Sequence, residues 1–152
     1  LNGCAQEYLS GGKSAASDAI RGSNLAGKSI NLTMTTAAHA MSYGLTSHMR
    51  ISHGHAVALC MPYVWEILLA RGNEAVQERL TEISEALGTS TKADGLKRFR
   101  ALFTLSGLED SVAGTQGDID TLTSGVDASL LGNYPVKLTI DDLGGIYAKI
   151  IQ

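Results

Sequence analysis

With 152 residues, 44% of them apolar, and a mean hydropathy of +0.06, the chain has material for one folded domain with its own core. Its net charge of −3 and pI near 5.7, with no cluster of Lys or Arg, argue against a nucleic-acid partner, although a phosphate group on a small substrate stays compatible. Two cysteines, Cys4 and Cys60, are too few for a disulfide framework and read as reduced thiols of a cytoplasmic protein. The longest apolar run, residues 56–62, is far short of a membrane span, and no signal peptide is visible.

The chain opens on Leu1, and its first residues read as the end of a helix already under way, so a fragment of something longer is expected. Helical spacing then dominates. Residues 14–31 carry Ala15, Ala19, Leu25, Ala26 and Ile30 at mostly three- and four-residue steps. Residues 35–49 are rich in Ala, Met and Leu. Residues 53–69 follow Ser52, a good N-cap residue, and Pro62 is expected to kink or interrupt that helix. Residues 74–87 place Val76, Leu80, Ile83 and Leu87 on one stripe and stop at Gly88. Residues 93–105 place Leu96, Phe99, Leu102 and Phe103 on another. Shorter helices are predicted over 119–127 and 140–151. Only residues 136–139 have strand character, too short a stretch for a sheet. The expected fold is all-α, a bundle of six to eight helices in a single domain over residues 1–152.

One motif match dissolves on its context. Gly22-Ser23-Asn24-Leu25-Ala26-Gly27-Lys28-Ser29 fits the pattern of a phosphate-binding loop. Such a loop works between a buried strand and a helix, where its amides curl around phosphate. Here the preceding residues, Ala15 to Arg21, are helical in pattern. Both glycines suit a helix closely crossed by another.

The four histidines are His39, His48, His53 and His55, all within one short segment. Neutral imidazole is the commonest metal-ligating side chain. His39 and His53 are fourteen positions apart, about 21 Å along one straight helix. For both to reach one ion the chain must turn between them, and Gly44 and Arg50-Ile51-Ser52 allow that turn. The pair would then stand on adjacent helices. His55, two residues after His53, would face elsewhere, and His48 stands outside the spacing. The alternative reading of the same spacing is histidines packed in a helical core or at its surface.

The segment Ala38-His39-Ala40-Met41-Ser42, followed by His53-Gly54-His55-Ala56-Val57-Ala58-Leu59-Cys60-Met61-Pro62, resembles the signature of the iron-containing (group III) alcohol dehydrogenases. That family carries an Ala-His-Ala stretch, a His-Gly pair fourteen residues after the first His, and a Pro ending the apolar run. Ser23-Asn24-Leu25-Ala26-Gly27-Lys28 and Pro135-Val136-Lys137-Leu138-Thr139 extend the likeness, which is weak over residues 73–115. Thr35-Thr36-Ala37-Ala38-His39 most resembles the branch that reduces phosphonoacetaldehyde.

The resemblance implies the metal-binding C-terminal helical domain of a two-domain, dehydroquinate synthase-like enzyme, whose N-terminal α/β domain binds NAD(P). It implies a divalent metal, Fe2+ or sometimes Zn2+, held by an Asp and three His, of which the last two carry over onto His39 and His53. The first two come as Asp-x3-His, a pattern absent here, since Asp18 is followed by Gly22 and Asp94 by Arg98. The Gly-rich cofactor loop is absent as well. The isolated chain is therefore expected to hold no metal tightly and to be catalytically silent, while the full-length parent acts on a small aldehyde or alcohol. A homo-oligomer stays open.

Many family members carry a further His four residues after the first ligand, where this chain has Tyr43. At i+4 Tyr43 shares a face with His39. Its hydroxyl would donate a proton, hydrogen-bond substrate, or simply be satisfied inside the core. Cys60, Met61 and Trp65 read as core, and Lys13 and Lys28 as solvated. A non-catalytic helical interaction domain and a small stand-alone metal module are the alternatives.

Overall fold

The structure is a computed structural model that describes residues 4–152. Leu1 to Gly3, part of the expected opening helix end, lie outside the described residues. Among these residues the fold is helical throughout, with α1 (Ala5–Leu9), α2 (Lys13–Leu32), α3 (Ala37–His48), α4 (His53–Arg71), α5 (Glu74–Ala86), α6 (Lys92–Leu105), α7 (Gln116–Ser124), a 3-10 turn (Ala128–Asn133) and α8 (Ile140–Ile150). The strand-like stretch 136–139 forms no strand. Among the described residues the one β-type pairing is a parallel bridge of Val112 with Ile151, closed by Val112 N–H to Ile150 O at 2.8 Å and Gln152 N–H to Val112 O at 2.9 Å.

Two compact units divide the chain. One comprises Leu1–Met34 and Thr81–Leu108, the other Thr35–Leu80 and Glu109–Gln152. In the first, α2 packs on α1, and its buried residues are the small Ala15 and Ala19. The glycine-rich match at Gly22 to Ser29 lies inside α2, where its amides serve the helix rather than a ligand. A Cβ built on Gly27 meets nothing within 4 Å, so this glycine marks no close crossing among the described residues. Of the expected apolar stripe, Ala15 and Ala19 are buried while Leu25 and Ile30 are more than half exposed. Periodicity located that face, but this chain covers only its first half.

The second unit carries the larger core. Met41 and Leu45 on α3, Leu59, Cys60, Val64 and Trp65 on α4, Leu122 on α7, and Leu143, Ile146, Tyr147 and Ile150 on α8 are all buried. Cys60 and Trp65 are thus core residues, as expected, whereas Met61 is only half-buried. Helix α4 is not interrupted at Pro62. Proline deletes one helical hydrogen bond, but the turns on both sides are anchored by buried apolar groups, and Pro62 is itself buried.

Two other boundaries have local causes. The helix predicted at 119–127 begins at Gln116, because Thr115 and Asp118 form a capping box in which each satisfies the other's backbone amide. At the other end of α5, Gly88 adopts φ +77° directly after Leu87, the left-handed stop that the sequence announced. A second capping box, Thr139 with Asp142, starts α8, and Arg71 at the end of α4 pairs with Asp142 at 3.0 Å.

Tyr147 ties α8 to α3. It is fully buried, and its hydroxyl donates to the Met41 carbonyl at 2.8 Å. Burial, with a smaller contribution from Cys60, pushes its phenol pKa upward, so it stays a neutral donor. Tyr147→Phe removes one neutral hydrogen bond to a carbonyl that keeps its helical partner, and is expected to cost about 1 kcal/mol. Leu45→Ala, at a fully buried site, is expected to cost about 2–5 kcal/mol. Denaturant unfolding followed by far-UV circular dichroism measures both. Equal losses would contradict this division between hydrogen bond and packing.

Candidate metal centre

Helix α3 is built of small residues, with Ala37, Ala38, Ala40 and Ser42 all buried. Small side chains let neighbouring backbones approach closely, and α3 makes its most extensive packing against α4. Gly44 continues this line. A Cβ there would meet Leu122 Cδ2 at 2.8 Å, so α7 also comes close. Gly44 therefore lies within α3 and does not make the turn that the sequence allowed it.

The turn falls at Arg50, with φ +58°, the left-handed region that non-glycine residues seldom occupy. Met49 N–H closes the helix on Leu45 O at 3.1 Å, and Ile51 N–H reaches back to the same carbonyl at 3.4 Å. Ser52 then takes the N-cap position of α4, although its hydroxyl accepts no capping bond. Its carbonyl accepts Ala56 N–H at 2.9 Å. Over this short reversal the chain brings His53 back beside His39.

The two rings lie with centroids 5.5 Å apart and planes inclined by 58°. Tyr43 stacks on His53, with centroids 5.6 Å apart and planes 16° from parallel. The hydroxyl of Ser42 lies between the two helices, 2.8 Å from the His39 carbonyl and 3.3 Å from Nδ1 of His53. Neither Ser42 nor its bond to His53 was read from the sequence. The signal was there, since Ser42 is the residue three after His39 and so falls on the same helical face.

Tyr43 is 49% exposed, so the reading of it as a buried, satisfied core tyrosine does not hold. The other two histidines are engaged elsewhere. His48 Nε2 lies 2.7 Å from Asp118 Oδ1, and His55 Nε2 donates to the Glu109 carbonyl at 2.6 Å. Hydrogen bonds from Thr115, and then from His48, hold the Asp118 carboxyl at about 2. Because that value is depressed, the stabilisation it brings is present above the ordinary carboxylate range and is lost as pH falls from about 4 toward 2.

Half-buried His39 is driven below the ordinary value of 6.5, first by desolvation and then by the neighbouring His53. It is consequently neutral near pH 7, and a neutral imidazole is the form that ligates a metal. Among the described residues, no group of three or more His, Cys, Asp or Glu is placed to hold an ion. The donor set present thus fits two positions of a metal site, both nitrogen ligands.

A helical domain presenting a close pair of imidazoles from adjacent helices is the class that fold and site define. The sequence model of the Fe-containing alcohol dehydrogenase family, C-terminal, matches residues 5–150. The chain belongs to that family, as its C-terminal helical domain. No individual curated protein matches it.

An NMR titration of the ring protons tests the electrostatics. His39 is expected to titrate below 6.5. His53→Ala should raise its midpoint only part of the way back, because desolvation is the larger cause and remains. Full return to 6.5 in that variant would assign the whole shift to the second imidazole and contradict the ordering.

Proposed function

We propose that this chain is the metal-holding C-terminal part of an NAD(P)-dependent alcohol dehydrogenase that interconverts a small aldehyde and its alcohol. His39 and His53 are two of the metal's ligands. The observation carrying this reading is the approach of the two rings to 5.5 Å on neighbouring helices, within a chain that belongs to the iron-dehydrogenase family. Imidazole–metal bonds are about 2.0–2.1 Å, so two rings at this separation can converge on one ion. An Fe2+ or Zn2+ ion bound there would supply a Lewis acid toward the substrate oxygen. The hydride belongs to the nicotinamide, and the dinucleotide site and an Asp-x3-His ligand pair come from chain beyond these 152 residues.

What the residues of this chain contribute follows from their surroundings. His39 keeps its lone pair available because desolvation holds it neutral. His53 is clamped by the Tyr43 ring on one side and the Ser42 hydroxyl on another. Tyr43 is half exposed and stacked on His53, and we assign its phenol O–H a hydrogen bond to the substrate oxygen. The chain taken alone, with half a metal site, is catalytically silent. Within the reading, phosphonoacetaldehyde is the favoured substrate, supported by the likeness of Thr35-Thr36-Ala37-Ala38-His39 to the branch that reduces it.

The test uses the full-length enzyme. His39→Ala and His53→Ala should each lower kcat/KM for aldehyde reduction by more than the 10- to 100-fold typical of outer-shell partners, with loss of bound metal. His48→Ala should stay near the unmodified rate, since His48 pairs with Asp118 instead. A double His39/His53 alanine variant that reduces aldehydes at the unmodified rate would end the assignment.

A further inference from the structure

We infer that Ser42 is a positioning residue that fixes the tautomer of His53, holding its proton on Nδ1 and leaving Nε2 bare for the metal. This rests on the reading above that His53 is a ligand, but its first premise is hydrogen-bond geometry alone.

A hydroxyl has one proton, and a carbonyl oxygen can only accept. Ser42 Oγ lies 2.8 Å from the His39 carbonyl, so its proton is committed there. The oxygen then presents only lone pairs to His53 Nδ1, 3.3 Å away. That contact is a hydrogen bond only if Nδ1 is the donor. Neutral imidazole carries a single N–H, so Nε2 is left as a lone pair. Ser42 is fully buried, which denies water access to its hydroxyl and makes the protein contacts decisive.

The other two bonded histidines point the opposite way. His55 meets the Glu109 carbonyl through Nε2, and His48 meets the Asp118 carboxylate through Nε2, so both must carry a proton on that nitrogen. His53 alone of the three is held in the Nδ1–H form. Metal-ligating histidines commonly donate their second ring N–H to an acceptor that fixes ring and tautomer together. In this chain a serine one helical turn from the first ligand supplies that acceptor for the second, so α3 orients both rings.

The experiment uses the full-length protein stripped of metal and labelled with 15N-histidine. Long-range 1H–15N correlation near pH 8 reads each tautomer without any metal or activity. The expected result is a protonated Nδ1 and bare Nε2 for His53, with the reverse for His48 and His55. Ser42→Ala removes one oxygen atom and leaves a good helix former. It should release His53 from the Nδ1–H form and weaken Zn2+ binding, measured by chelator competition, by 10- to 100-fold. A wild-type His53 protonated on Nε2 would overturn the inference, because the hydroxyl must then donate to Nδ1 rather than to the His39 carbonyl. Unchanged tautomer and Zn2+ affinity in Ser42→Ala would overturn it as well. The ligand reading fails separately. Were Zn2+ affinity unaffected by His39→Ala while His53 kept its Nδ1–H form, the metal assignment would fall and the serine–histidine bond would stand.

Discussion

The close packing of α3 on α4 is the constraint on which the site depends. Two imidazoles fourteen residues apart in sequence meet because small residues line α3 and because Arg50 takes a left-handed conformation that reverses the chain. A bulkier α3 would hold the helices apart. A longer turn would let His53 swing out of reach. The same packing places the Ser42 hydroxyl within reach of both helices at once. Tyr147 and Tyr134 brace the arrangement from behind, through bonds to the Met41 and Val64 carbonyls. Backbone on α3 and α4 is therefore pinned by side chains from the last third of the chain.

The electrostatic state of His39 follows from this placement. Partial burial, and then the His53 ring 5.5 Å away, disfavour a positive charge on His39. Both effects favour the form with an available lone pair. Cys60, by contrast, is pushed up to about 12 by burial alone, so the one thiol near this core is a neutral packing group at ordinary pH. The unit thus separates its roles. Titratable groups deep in the core are held neutral and structural, and those at its edge carry the proposed chemistry.

Much of the fold is readable in the sequence, since three- and four-residue apolar steps recur through it and each of α2 to α8 overlaps a stretch expected to be helical. The errors are instructive because each has a local cause. Pro62 reads as a kink or an interruption, and α4 is not interrupted there because the buried residues around it sustain the helix. Helix α7 starts earlier than its apolar residues indicate because its first turn is polar and is set by the Thr115–Asp118 capping box. At the site, spacing together with family likeness pointed to His39 and His53. Spacing could not show that Tyr43 is exposed and stacked on His53, since sharing a face with His39 says nothing of the ring across the helix boundary. Ser42 was invisible because its part depends on a partner eleven residues away, brought near only by the reversal at Arg50.

The proposed sharing of one ion by the two imidazoles is open to direct test. Anomalous X-ray diffraction from crystals of the full-length protein loaded with Zn2+ addresses it directly. Shared ligation predicts a single strong anomalous peak about 2.0–2.1 Å from one ring nitrogen of His39 and one of His53, the latter being Nε2. A fully occupied peak elsewhere, with neither imidazole among its ligands, would contradict it.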